Sequence, residues 1–430
     1  MRATISSLTT IFTLLLCIFA TGNRCQAVEP ATTAETQKIA KILAGRSDTV
    51  RLRTALAIDQ NITSRVQALP AMSDALNTLI ERLDEKDREE PIPPGVAQLI
   101  STLSKVDRDD AVAPLSAAVN APSIAWATFT IDAVGQNKHH SMIPELVDAF
   151  DGPLCSSHYG LRFALVRSLL LMQHPDALEA LGRLRTRIDG QLRHKLDVEL
   201  DKLTVDDFWG DDQRFAAWTA GDYLKQPINR PLSPDSMFKS ASYSESANRM
   251  RLTRQKYYDI DIYAKRLLFV IDRSGSMAQV GYRGTRIAKA KQELIAAIRG
   301  LEPDTEFSIL VFDTDIRAYS ESLQIATDEN KQKAIRYVSA LNCGKKTNTY
   351  GALRRAIEFD YQLEAIFVLT DGRPTTGQVV VPELILTDIL QRNQFRNITI
   401  NTVAIAAEES LAGFLQGLTT PSGGEYRVVD

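Results

Sequence analysis

The sequence predicts two folds in one chain of 430 residues: a doubly wound α/β fold with a mostly parallel sheet at the C-terminus, and an all-α, solenoid-like fold before it. After residue 264, short apolar runs alternate with amphipathic helical patterns, which indicates strands joined by crossover helices. From about residue 35 to 205, apolar residues recur at intervals of three and four, the period of a helix. The chain is long enough for both folds, since one domain usually takes about 100–200 residues.

Two apolar runs define the centre of the predicted sheet. Leu267–Ile271 is unbroken and ends at Asp272, and the run from 366 to 370 ends at Asp371. Runs this short, bounded by polar residues, are typical of strands covered on both faces. Right-handed crossovers would place the two strands side by side, so both carboxylates would lie at the carboxyl edge of the sheet. The alternating stretch Tyr257–Tyr263 predicts an extra edge strand leading into this centre.

Three oxygen-bearing side chains follow the first strand at alternate positions. Asp272, Ser274 and Ser276 surround Gly275 in a tight loop. Alternation in an extended loop can direct all three oxygens toward one point, and such ligands suit a hard cation such as Mg²⁺. Ser-Gly-Ser is also typical of an ordinary turn, so the triplet alone leaves both interpretations open.

A later polar loop adds a further hydroxyl to the pattern. The loop Gly344–Asn348 leads into a helical stretch and contains Thr347. The order DxSxS, then T, then D resembles the metal-ion-dependent adhesion site of the von Willebrand factor A (VWA) domain family, and the predicted domain covers residues 257–430. The resemblance implies that the two Ser and the Thr bind Mg²⁺ directly, with Mn²⁺ and Ca²⁺ as alternatives, while the Asp residues act partly through water. The implied metal residues are Asp272, Ser274, Ser276, Thr347 and Asp371.

The threonine loop departs from the family pattern in its charge. It reads GKKT, so Lys345 and Lys346 stand where the family often has glycines. These lysines predict a lower metal affinity or a preference for an acidic partner, and we expect both to contact the partner. The resemblance implies a protein ligand that offers an acidic side chain to the metal.

The N-terminal region, predicted as a domain over residues 35–205, contains an internal similarity. Val106–Leu115 parallels Val134–Leu146, and Leu171–Leu181 is a weaker third copy. Each copy is a helix end, a polar turn and a new amphipathic helix, so the period is that of a helix pair. This region resembles a HEAT-type α-solenoid, a family of protein-binding scaffolds. An irregular helical bundle is the alternative.

The first residues predict export. Met1-Arg2 precedes the run Ile11–Ala20, which is apolar except for Thr13 and is short for a bilayer span. We expect residues 1–27 to be a signal peptide, with an uncleaved membrane anchor as the alternative. The mature protein would then be extracytoplasmic, whether periplasmic, secreted or on the cell surface, with no membrane span. The order of helices, linker and VWA domain is similar to that of exported bacterial proteins.

Residues 206–256 are predicted to join the two domains. They begin with an aromatic cluster in an acidic stretch and continue into a segment rich in Pro, Ser and Asn. We expect the aromatic residues to pack the domain junction, with Ca²⁺ or sugar binding as the alternative. The aromatic residues are Phe208, Trp209, Phe215 and Trp218.

Composition and the inventory of reactive groups favour binding over catalysis. The formal net charge of −3 gives no case for nucleic acid as a partner. All five His lie before residue 200, so the VWA segment has no His to act as general base. The sequence therefore predicts an exported interaction protein and not an enzyme. Two alternatives stay open: a solenoid that does the binding beside a structural VWA domain, and, less favoured, a metal-dependent hydrolase.

Overall fold

The computed structural model describes residues 33–84, 90–203, 255–281, 284–405 and 409–429, with the single positions 213, 217 and 237. The predicted signal peptide and most of the predicted junction lie outside these residues. These described residues divide into two compact units, one with those up to 154 and 167–177, the other with 155–166 and those from 178 onward.

The described residues from 33 to 203 form helices joined by turns. In chain order they are α1 (Thr33–Leu43), α2 (Asp48–Ile58), α3 (Ile62–Ile80), α4 (Pro94–Ser104), α5 (Asp109–Val119), α6 (Ile124–Gln136), α7 (Ile143–Phe150), α8 (Pro153–Ser157), α9 (Tyr159–Met172), α10 (Pro175–Arg185) and α11 (Gly190–Leu203).

The first unit has the layered packing of a solenoid-like domain. Helix α1 packs on α3, α2 on α4, α3 on α5 and α4 on α6, so each helix lies against the one two places along the chain. Local signals set the helix starts, since Ser47 and Asn61 each accept a hydrogen bond from a backbone N–H of the first turn. Stacked layers of this kind bury a continuous core that no single helix pair could form. The all-α prediction is confirmed, and the HEAT assignment stays a prediction.

The second unit contains the predicted α/β domain. Its elements are β1 (Lys256–Tyr257), β2 (Ile260–Asp261), β3 (Arg266–Asp272), β4 (Val280–Gly281), β5 (Gly284–Thr285), α12 (Arg286–Gly300), β6 (Glu306–Phe312), β7 (Ile316–Ala318), β8 (Gln324–Ile325), α13 (Asp328–Ser339), α14 (Thr349–Ile357), β9 (Ala365–Thr370), α15 (Pro382–Asn393), β10 (Thr399–Ile405), α16 (Glu409–Ser422) and β11 (Tyr426–Val429).

Within the described part of the chain, the main sheet has seven strands and is mostly parallel, as the sequence predicts. The strand order is β11-β10-β9-β3-β6-β7, with β8 also on β6. Strand β3 pairs in parallel with β9 on one side and with β6 on the other, whereas β7 and β8 run antiparallel to β6. The order reverses between β3 and β9, and such a point is where open α/β sheets bind ligands. The prediction that these two strands are neighbours is confirmed.

Two apolar layers cover the faces of this sheet. Phe269 and Phe367 lie in the layer formed with α12 and α13, and Val270 and Val368 lie in the layer formed with α14, α15 and α16. Consecutive residues of a strand point to opposite faces, so a strand covered on both sides is apolar throughout. Each fully buried side chain of this size contributes about 1.5–3 kcal/mol. The two layers make the sheet a rigid support for the loops at its carboxyl edge.

One predicted strand was wrong. Residues 256–261 form a separate two-stranded hairpin of β1 and β2, and not an edge strand of the main sheet. The chain reverses at Tyr258 and Asp259, which have φ of 49° and 61°. A left-handed conformation is uncommon at Tyr, so the alternating pattern gave no sign of the turn.

The last helical segments belong to the second unit. Helix α11 begins at Gly190, and the Gln191 N–H donates to Glu364 Oε2 at 2.8 Å, immediately before β9. Tyr159 N–H donates to the Tyr361 carbonyl at 3.0 Å. The second compact unit therefore begins earlier in the chain than the predicted VWA domain of residues 257–430. It includes helical residues from the predicted domain of residues 35–205.

Candidate metal centre

Asp272, the last residue of β3, is held rigidly under the loop that follows it. Its side chain is buried, Oδ1 accepts the Ser274 N–H at 2.7 Å, and Oδ2 accepts the Thr370 hydroxyl at 2.6 Å. Burial raises the pKa of Asp272 to about 7, and the nearby Asp371 adds to the rise, against the hydrogen bonds from Thr370 and Ser274. A buried carboxylate of this kind is stabilised when it binds a proton or when a cation lies beside it.

The hydroxyls of the DxSxS loop and the second carboxylate form a continuous chain of oxygens. Ser274 Oγ and Ser276 Oγ are 3.1 Å apart, and Ser276 Oγ donates to Asp371 Oδ1 at 2.7 Å. A short 3₁₀ turn over Gly275–Ala278 folds Ser276 back toward the strand ends. Side chains that lie 95 residues apart in the sequence thus meet at the edge between β3 and β9.

The threonine loop is attached to the DxSxS loop through its backbone. Gly275 N–H donates to the Lys345 carbonyl at 2.9 Å, and Gly344 N–H donates to the Arg273 carbonyl at 2.6 Å. A Cβ at Gly344 would lie 1.6 Å from Asp313 Oδ2, so this position requires glycine. The two backbone hydrogen bonds hold the DxSxS loop and the threonine loop side by side at one edge of the sheet.

Thr347 is fixed from its other side by the loop after β9. Its N–H donates to Thr375 Oγ1 at 2.9 Å, and its carbonyl accepts from the Thr375 and Thr376 N–H groups at 2.9 and 3.3 Å. Thr347 is buried. The three parts of the pattern are therefore brought together: the serines and Asp371 through their side chains, and Thr347 through the backbone of its loop.

The nearby carboxylates of the β6–β7 turn serve that turn. Asp313 Oδ1 accepts the Asp315 N–H at 2.9 Å, and Asp313 Oδ2 pairs with Arg273 at 3.0 Å. Asp315 is solvent-exposed. Both side chains thus lie in the β6–β7 turn, where Asp313 holds the turn and Arg273 together.

Arg286 belongs to the site but was missed by sequence reasoning. It is the first residue of α12, and its Nη1 lies 2.8 Å from Asp371 Oδ2. Both oxygens of Asp371 therefore have partners within the chain. One weak signal was available: a cation at the start of a helix is opposed by the helix dipole, and a nearby anion offsets this.

Lys345 and Lys346, the predicted partner contacts, are both exposed on the threonine loop. The Lys346 N–H donates to Thr314 Oγ1 at 3.4 Å, so the loop backbone is held while the side chains face solvent. This edge therefore presents positive charge beside a cluster of buried oxygens.

The donor set fits a small hard cation. Neighbouring oxygens around a Mg²⁺ ion at about 2.0–2.1 Å lie about 3 Å apart. The separations of 3.1 Å between the two serine oxygens and 2.7 Å from Ser276 to Asp371 are close to that value. Among the described residues, no group of three or more His, Cys, Asp and Glu side chains could hold a metal. A cation here would therefore depend on hydroxyl ligands.

Comparison with known proteins identifies the family that part of this chain matches. Residues 267–373 match the family model for the von Willebrand factor type A domain, a class of domain that commonly mediates protein interactions with a metal site. The chain thus contains a VWA domain with an N-terminal helical region.

Relatives match between about a quarter and two fifths of this chain. Inter-alpha-trypsin inhibitor heavy chain 4 of Mus musculus is 31% identical over 126 residues, which is 27% of this chain and 13% of that protein. Human von Willebrand factor A domain-containing protein 3B is 28% identical over 162 residues, or 37% of this chain and 11% of that protein. The chain thus spans only about an eighth of the length of these relatives.

Solved structures that are similar to part of this chain were also found. The von Willebrand factor type A protein from Catenulispora acidiphila is 19% identical with a TM-score of 0.33, covering 38% of each chain. Proximal thread matrix protein 1 of the mussel byssus, described with a zinc-occupied MIDAS motif, is 14% identical with a TM-score of 0.30, covering 38% of this chain and 41% of that one. Within the described part of the present chain, no helix is long and apolar enough to cross a membrane.

Proposed function

We propose that this is an exported protein-interaction module whose VWA domain binds a protein partner through a divalent metal ion, with Mg²⁺ the preferred ion and Mn²⁺ or Ca²⁺ as alternatives. The proposed metal residues are those of the DxSxS, T and D pattern: Asp272, Ser274, Ser276, Thr347 and Asp371. One observation carries the proposal. Two serine hydroxyls of one loop and a carboxylate from a distant segment are in successive hydrogen-bond contact, at the spacing of neighbouring metal ligands, where the strand order of the sheet reverses.

The residues of the proposed metal centre have different roles. Asp272 orients the DxSxS loop from beneath through Ser274 and supplies buried negative charge. Ser274, Ser276 and Thr347 supply neutral oxygens, so the ion's charge is only partly neutralised. When bound, the ion provides Lewis acidity and a coordination position for a carboxylate of the partner. The exposed Lys345 and Lys346 would attract that acidic group.

Binding is favoured over hydrolysis because the sequence of the VWA segment offers no His as a general base. The segment from residue 257 onward contains no His in its sequence. Asp313, the carboxylate at the end of β6, is taken up by Arg273 and the turn. A metal-dependent hydrolase needs a general base within hydrogen-bond reach of the attacking water.

The proposal is tested with an immobilised peptide library and the full chain in solution. We expect peptides that carry Asp or Glu to retain the protein in MgCl₂ and to release it in EDTA. Retention that persists in EDTA would favour binding by the helical region, and metal-dependent cleavage of the peptides would favour a hydrolase. Binding that ignores both metal and acidic residues would contradict the proposal.

Charge reversal of the threonine loop should weaken partner binding. We expect the double variant Lys345→Glu, Lys346→Glu to bind acidic peptides about tenfold more weakly at low salt, since two nearby charges change sign, with a smaller difference at high salt. Fluorescence anisotropy at two salt concentrations measures this. Lys333→Glu, an exposed change on α13, is the control. Equal affinities for both variants would rule out a role for the loop lysines.

Metal affinity should depend on pH through Asp272. Its pKa of about 7 means that protons compete with the metal for this carboxylate in the neutral range. Metal affinity is therefore fully present above pH 7 and is lost as the pH falls, by about tenfold at one pH unit below the pKa. Calorimetric titration of Mg²⁺ between pH 8 and pH 6 measures this. An affinity that stays constant across that range would contradict it.

A further inference from the structure

The ion pair of Arg286 and Asp371 lies inside the candidate metal centre. Nη1 of Arg286 is 2.8 Å from Asp371 Oδ2, the Asp371 side chain has no exposed surface, and that of Arg286 is 19% exposed. The same carboxylate accepts the Ser276 hydroxyl through Oδ1. A cation at this centre must therefore share Asp371 with a permanently positive group.

The position of Arg286 is built into the start of α12. The Thr285 hydroxyl caps this helix by accepting the Ala288 N–H at 3.3 Å, and the Arg286 N–H donates to the Gln279 carbonyl at 3.1 Å. The backbone on both sides of Arg286 is thus fixed. A guanidinium at the N-terminus of a 15-residue helix is opposed by the helix dipole, so the pair with Asp371 is what favours it there.

The pair changes the charge of the centre. Asp272 and Asp371 contribute two negative charges when ionised, and Arg286 offsets one of them. The neighbouring Arg273 does not alter this balance, because it pairs with Asp313. A centre with net charge near −1 that receives a divalent ion becomes net positive, and this is unfavourable in a partly buried site unless an anion joins it.

We infer that Arg286 makes metal binding conditional on an acidic partner. The divalent ion binds weakly to the free protein and more tightly when a carboxylate completes the centre, and by linkage the carboxylate binds more tightly when the ion is present. Arg286 is a positioning and charge-setting residue, and the partner class it selects is a carboxylate-bearing protein. This inference rests on the proposed function, since it assumes a metal at the centre.

The test is calorimetric titration of the full chain with MgCl₂ alone. We expect Arg286→Gln to bind Mg²⁺ at least about tenfold more tightly than the unaltered chain, because one nearby positive charge is removed. Arg286→Lys retains the charge and should restore the original affinity. Arg299→Gln removes an exposed positive charge from the same helix, about 20 Å away, and should leave the affinity unchanged.

A second measurement keeps the inference testable if Arg286→Gln does not fold. The unaltered chain is titrated with MgCl₂ in sodium acetate and in sodium chloride of equal ionic strength. Tighter Mg²⁺ binding in acetate is expected, and equal binding in both salts would overturn the inference.

The other outcomes separate this inference from the proposed function. Equal or weaker Mg²⁺ binding by Arg286→Gln would overturn the role of Arg286 while leaving the metal centre in place. Binding of no Mg²⁺ by any variant, in either salt, would overturn the proposed function itself and the inference with it.

Discussion

Asp272→Ala is expected to abolish divalent-ion binding while the protein stays folded. The substitution removes one of the two carboxylates of the centre together with the acceptor that orients the Ser274 backbone and the Thr370 hydroxyl. Loss of a residue that orients metal ligands costs about 10–100-fold in affinity, and the lost charge adds to this, so we expect at least about a hundredfold decrease.

The fold should tolerate this change because a buried, charged Asp272 carboxylate itself costs free energy in the folded protein. Burial disfavours the charged form of this carboxyl group and raises its pKa to about 7. The variant leaves the Ser274 N–H without its acceptor, a cost of about 1–3 kcal/mol, while the Thr370 hydroxyl keeps the Gly372 carbonyl at 3.3 Å and the burial of a carboxylate is relieved. We expect a modest decrease in the free energy of unfolding.

Calorimetry with Mg²⁺ and chemical unfolding of the same samples measure both effects. Asp315→Ala is the matched control, since Asp315 is an exposed carboxylate in the adjacent β6–β7 turn. It should leave Mg²⁺ affinity near that of the unaltered chain. Asp272→Ala protein that still binds Mg²⁺ normally would show that the metal lies elsewhere.

Gly190→Ala is expected to destabilise the second unit by about 2–4 kcal/mol. Gly190 has φ of +60°, where a Cβ costs about 1–2 kcal/mol. That Cβ would also lie 2.3 Å from Glu364 Oε2, which accepts the Gln191 N–H at the start of α11. The substitution would thus strain the backbone and displace a buried carboxylate from the helix that it caps.

Contacts of Glu364 explain why a side chain at position 190 should destabilise the second unit. Its side chain is buried, and Oε2 also accepts the Lys265 N–H at 3.2 Å while Oε1 lies 3.3 Å from Arg266 Nη1. Burial raises the pKa of Glu364 to about 7, against the Gln191 hydrogen bond and the Arg266 charge. Movement of this carboxylate therefore disturbs α11 and β3 together.

Denaturant unfolding monitored by circular dichroism measures the effect. Gly413→Ala is the control, because a Cβ there meets nothing within 4 Å and α16 gains about 0.5–1 kcal/mol from alanine. If both alanine variants unfold at the same denaturant concentration, the contact of Glu364 with α11 has no role in stability.

The centre of the sheet was predictable because its signals are local. Two apolar runs that each end at an Asp indicated β3 and β9, and the rule of right-handed crossovers indicated that they are neighbours. The helical region was predictable from its period. The turn at Tyr258 was not, since a tyrosine with positive φ has no pattern in the sequence.

Two contacts that the sequence did not reveal, one in the site and one at the start of α11, depend on distant pairings. Arg286 meets Asp371 from 85 residues away, and Glu364 meets Gln191 from 173 residues away. No periodicity or spacing reports such contacts, because they follow from which loops the sheet brings together. The five-residue pattern was visible only because the family resemblance linked its three separate parts.

The most direct measurement of the central claim is the anomalous diffraction of crystals soaked in MnCl₂. We expect one strong manganese peak within coordination distance of the hydroxyl oxygens of Ser274, Ser276 and Thr347. A manganese ion ordered at another part of the chain, with none at this edge of the sheet, would contradict a metal centre built from these side chains.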